Sequence, residues 1–73
     1  MCIAIPAEII SIQGVYADVD IMGVESKVYI GLIENPKEGN FVLIHAGCAI
    51  QKIDERYFYY LEDTFRAMLD GDD

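Results

Sequence analysis

Tryptophan is absent, histidine occurs once, cysteine and proline occur twice each, and five basic residues stand against thirteen acidic ones. Two cysteines cannot build the dense disulfide framework that stabilises many very small secreted domains. A formal charge of −8 opposes binding to phosphate backbones, because affinity there comes from lysine and arginine releasing counterions, so no nucleic-acid partner is expected. No run approaches the roughly 20 consecutive apolar residues of a membrane-spanning helix, and the N-terminus lacks the basic flank and apolar stretch of a signal peptide. The expectation is a cytoplasmic protein with no membrane attachment. Its Cys2 and Cys48 are then read as free thiols or metal ligands before they are read as a disulfide. No Ser-His-Asp set, glycine-rich phosphate loop or close pair of catalytic carboxylates can be named, so the chain is not expected to be an enzyme.

What is present is a folded body, since 53% of the residues are hydrophobic. Seventy-three residues make one domain, whose small core leaves a thin stability margin. Ile3 to Gln13 is apolar but contains Pro6, which limits the segment to an edge or to a strand that starts and then bends. Gly14 turns the chain. Val15, Ala17, Val19 and Ile21 alternate with Tyr16, Asp18 and Asp20, the period of a strand with one wet face. Met22-Gly23-Val24 is a tight connection into a third strand, in which Val28, Ile30 and Leu32 alternate with Lys27, Tyr29 and Gly31. A polar loop from Glu34 to Asn40 leads to Phe41–Ala46, suited to a central strand. After Gly47, Cys48–Ile53 forms a last strand with Ala49, Gln51 and Ile53 on one side and Cys48, Ile50 and Lys52 on the other.

Asp54 suits an N-cap, Glu55 the positive end of the helix dipole and Gly71 a stop, so a helix is predicted over about 55–69, followed by a loose acidic tail at 70–73. Phe58, Leu61, Phe65 and Met68 make one apolar stripe, and Glu62 and Arg66 an i,i+4 ion pair. The whole is mainly β: a small OB-fold-like antiparallel barrel of about five strands over 1–53, with a C-terminal helix.

Three side chains could carry chemistry. Removal of Met1 would leave Cys2 with a thiolate and a free amine, donors that suit soft metals and iron with strong-field ligands; alternatively residue 2 merely starts the first strand. His45 shares a strand face with Phe41 and Leu43, where it is either a hydrogen-bonded structural residue or a ligand. Cys48 reads first as an inert thiol buried beside Ala49 and Ile50, and otherwise as the second ligand of a His-x-x-Cys pair joined by Cys2. Of the four rings Tyr57 to Tyr60, one or two are expected outside the core as interface anchors.

The blocks Met1-Cys2-Ile3-Ala4-Ile5-Pro6, Gly39 to Gly47 and Ala49 to Glu55 together resemble the HypC/HybG/HupF hydrogenase maturation chaperones, and the order, spacing and length agree over nearly the whole chain. The resemblance implies an OB-like barrel with a C-terminal helix that binds the iron–sulfur scaffold protein HypD during assembly of the Fe(CN)2CO fragment. It then engages the [NiFe]-hydrogenase large-subunit precursor. On that likeness Cys2 is the iron-contacting thiolate, with His45 assisting at the iron. Three positions depart from the usual pattern: Ala7 stands where glycine is common, Glu8 where a basic residue is common and Cys48 where a bulkier apolar residue is common. Glu8 places a negative charge near Cys2, which disfavours thiolate formation. Two other classes remain open, a small stand-alone metal-binding protein and an OB-like ligand-binding module.

Overall fold

A computed structural model describes residues 4–70. Five strands are followed by one helix: β1 (Ile5–Gln13), β2 (Tyr16–Ile21), β3 (Val24–Tyr29), β4 (Phe41–His45), β5 (Cys48–Ile53) and α1 (Glu55–Asp70). The strands close into a barrel in the order β1-β2-β3-β5-β4. Neighbours are antiparallel except β3 and β5, which meet in parallel at the single pair Tyr29↔Cys48. There the Tyr29 N–H donates to the Gly47 carbonyl at 3.0 Å. This is the OB-like barrel with a C-terminal helix that the sequence pattern predicts.

Closure depends on β1 serving two neighbours. Ile5 to Glu8 pairs with β4, whereas pairing with β2 begins only at Glu8↔Asp20. Pro6 therefore has a partner strand on one side alone, which accommodates its missing N–H. An extra residue, Ile10, bulges out between Ile9↔Val19 and Ser11↔Asp18. The bulge changes the facing of the strand, so the core positions run Ala7, Ile9 and then Ile12 rather than residue 11. Those side chains pack with Ala17, Val19, Val28, Ile30, Val42, Ile44 and Ala49 to fill the barrel.

All three hairpins have two-residue turns. Met22 (φ 49°) with Gly23 (φ 93°), and Ala46 (φ 55°) with Gly47 (φ 80°), hold both central residues left-handed, as a type I′ turn requires to match the right-handed twist of its strands. Asp20 secures the first of these by accepting the Gly23 N–H at 3.0 Å.

Two strand readings need correction. β3 ends at Tyr29, so Leu32 is not part of it and lies exposed in the following loop, while Val15 sits in the β1–β2 turn rather than in β2. In β5, Leu43↔Gln51 is followed by Ile44↔Ala49, leaving Ile50 bulged. Ala49 thus faces the core beside Ile44, whereas Gln51 and Ile53 lie on the outer face with Leu43 and Phe41. An unbroken alternation would have put Ala49, Gln51 and Ile53 together.

The Asp54 carboxylate accepts the Tyr57 N–H at 2.8 Å, the N-cap bond expected of it, and Arg66 lies 3.7 Å from Glu62. The helix extends one residue beyond the predicted Leu69; Gly71 and the rest of the tail lie outside the described residues. Phe58 anchors α1 by stacking on Phe41 of β4, with ring centroids 4.2 Å apart. Beyond this anchor the apolar stripe is only partly covered: Leu61 and Phe65 are half-buried and Met68 is exposed. Tyr57, Tyr59 and Tyr60 are all exposed, three rings where one or two were expected, although the Tyr59 ring still lies 5.9 Å from Phe41.

Two stability outcomes follow. Phe58→Ala removes the one buried side chain among the described helix residues and should cost about 3–5 kcal/mol, read as a fall in the urea midpoint. Ala46→Asn relieves a left-handed alanine and should raise stability by about 1 kcal/mol in thermal unfolding.

Candidate functional site

His45 is the last residue of β4 and Cys48 the first of β5, and the two are cross-strand partners over the Ala46-Gly47 turn. Both are half-buried, on the outer face of the barrel. Among the described residues neither side chain has a hydrogen-bond partner. Cys48 is therefore not the core thiol that its apolar neighbours suggested. The bulge at Ile50 turns Ala49 inward, and Cys48, one residue earlier, faces outward.

The same row continues around the barrel. Cys48 pairs with Tyr29 and Tyr29 with Tyr16, whose rings meet edge to face at 5.8 Å. Tyr29 lies over the backbone of Gly31, where a Cβ would overlap its hydroxyl. A glycine is thus required there for the ring to take this position. Nothing in the strand pattern marked this row, because it is assembled from β2, β3, β4 and β5 only when the barrel closes.

Cys2 lies outside the described residues. The chain enters β1 at Ile5, paired with Ile44, so the first described residues run beside His45 at the end of β4. The helix anchor is at the other end of β4: Phe41 stands four strand residues from His45, about 14 Å away. The two ends of the barrel thus carry different chemistry, a nitrogen–sulfur pair on one and aromatic rings on the other.

Electrostatically the outer face is acidic. Glu8, Asp20 and Glu25 stand side by side on β1, β2 and β3, an arrangement whose mutual repulsion opposes folding. Two residues back along β2, Asp18 faces Lys27 and accepts a hydrogen bond from the Ser11 hydroxyl at 3.1 Å. Among the described residues no three His, Cys, Asp or Glu side chains converge to hold a metal. These residues alone therefore do not make a closed tetrahedral site.

The fold is thus a closed five-stranded barrel with one C-terminal helix. The sequence model of the HupF/HypC family matches residues 1–65, and the chain belongs to that family. It is 36% identical to the hydrogenase maturation factor HypC of Escherichia coli (strain K12) over 76 aligned positions, covering 96% of this chain and 84% of the relative. The hydrogenase expression/formation protein HupF of Bradyrhizobium diazoefficiens is 34% identical, with all of this chain and 78% of the relative covered. HypC of Cupriavidus necator is 38% identical over 55 positions, 74% of this chain and 61% of the relative.

The position of Cys48 has a direct chemical readout. In a Cys2→Ala protein the remaining thiol should react with a maleimide under native conditions without denaturant; labelling that requires unfolding would contradict its outward placement.

Proposed function

We propose that this chain is a hydrogenase maturation chaperone, which carries or presents an Fe(CN)2CO fragment through Cys2 with His45 assisting from the adjacent strand end. The reading further has the chain bind HypD while the fragment is assembled and then engage the [NiFe]-hydrogenase large-subunit precursor in the cytoplasm. It turns over no substrate of its own. Family membership supports the maturation role. The single observation that supports the chemistry is the pairing of Ile5 with Ile44, which starts β1 beside His45, the residue assigned the assisting role.

Physically, a transfer protein needs a ligand that holds its cargo tightly enough to carry it and loosely enough to release it. A thiolate is a strong donor to iron carrying cyanide and carbonyl ligands. With one thiolate and an imidazole at the rim, the remaining iron positions are left for the fragment's own ligands and for a partner. An incomplete donor set favours handing the cargo on, whereas a closed set of four would retain it. The exposed Tyr57 and Tyr60 rings, stacked at 6.5 Å on the helix, offer a second contact surface away from the iron.

The test is co-purification with HypD followed by infrared spectroscopy in the cyanide and carbonyl stretching region. Cys2→Ala should leave the fold unchanged, because an end-of-chain thiol adds little to the core, yet abolish the bands, stable HypD association and hydrogenase maturation. Cells carrying only Cys2→Ala that still mature their hydrogenase normally would refute the mechanism. His45→Ala should lower activity with a smaller loss than Cys2→Ala.

A further inference from the structure

We propose that His45 and Cys48 form a two-donor site of their own for a soft monovalent cation of low coordination number, of the copper(I) type. This goes beyond the iron reading and does not rest on it, since it needs no residue before Ala4.

The geometry begins with the hairpin. His45 and Cys48 flank a two-residue turn and are registered partners, so their side chains leave the same face of the barrel. Directly opposed residues place their Cβ atoms about 4.5–5.5 Å apart. Metal bonds of about 2.3 Å to sulfur and about 2.0 Å to imidazole nitrogen span such a gap with the cation between the strands. The left-handed Ala46 and Gly47 fix the turn, so little backbone ordering remains to oppose binding.

The surroundings select the ion. Among the described residues, the outer-face neighbours in register with the pair are Leu43 and Gln51 along the hairpin and Tyr29 across it, none of them anionic. Oxygen-seeking cations such as Mg2+ or Ca2+ find no carboxylate among these neighbours, and the described residues supply no third strong donor for tetrahedral zinc. A thiolate and an imidazole suit a soft cation that is content with two ligands. As the sulfur–metal bond forms, the Cys48 proton leaves to the buffer and the oxidation state of the metal does not change. One thiolate then neutralises one positive charge.

The experiment uses the full chain carrying Cys2→Ala, titrated anaerobically with Cu(I) in competition with the chromophoric chelator bicinchoninate. One equivalent should be withdrawn from the chelator, with amide shifts concentrated over residues 44–49 and at Tyr29. Adding Cys48→Ser or His45→Phe should each weaken binding at least tenfold; Cys48→Ala and His45→Gln replace either variant whose amide spectrum shows an altered fold. Failure of the Cys2→Ala protein to take up Cu(I), or a loss below tenfold in either second variant, would overturn the proposal. Hydrogenase maturation by the Cys2→Ala protein is read separately, so the two readings fail independently.

Discussion

The architecture depends on one strand satisfying two neighbours at once. β1 gives its first half to β4 and its second half to β2, and the overlap at Glu8 and Ile9 closes that side of the barrel. At the overlap the backbone of Ile9 is fully engaged towards β4: its N–H donates to the Asn40 carbonyl at 2.9 Å, and its carbonyl accepts from Gly39 at 2.8 Å. The Ile10 bulge lets the strand bend between its two partners without losing the inward facing of Ile9 and Ile12. With this strand disrupted, the start of the chain would lose its position beside β4, and the core its continuous wall.

Closure on the other side is far lighter. β3 and β5 share a single registered pair, and the Ile30 N–H turns back to the Val15 carbonyl at 2.7 Å rather than extending β3 along β5. This leaves the rim near His45, Cys48 and Tyr29 short of regular ladder, with side chains gathered from several strands around an open end. A thin seam of this kind costs stability in a domain with little to spare, but it puts a nitrogen and a sulfur donor on the surface. The helix makes the complementary arrangement: Phe58 and Tyr59 pack on Phe41 near its start, and the rings of Tyr57 and Tyr60 stay exposed.

Much of the fold was legible because the signals were local. Alternation over Ala17 to Ile21, glycine at the turns and the Asp54 cap each act within a few residues, and apart from β3 and the start of β1 each element formed within about a residue of its expected bounds. The misread facing of β5 has a simple cause. Bulges at Ile10 and Ile50 insert a residue that strict alternation cannot see, and every facing beyond the insertion is then reversed. Cys48 was misplaced for another reason: residue type made it a core thiol, while its pairing with His45, one position from the inward Ile44↔Ala49 pair, made it an outer-face one. The count of exposed tyrosines failed for a different reason: a helix pattern shows which side is apolar, not how much barrel lies beneath it.

The sequence by itself determined the chain's family, its all-β body with a terminal helix, its acidity, and the residue types able to bind a soft metal. These follow from hydrophobic period, turn chemistry and donor atoms, all of which belong to residues near one another in the chain. Only the tertiary structure decided that His45 faces Cys48 across a turn, that Tyr29 flanks the pair and that β1 begins beside them. Those placements come from strand register in a closed barrel, where a single extra residue moves a side chain from core to surface.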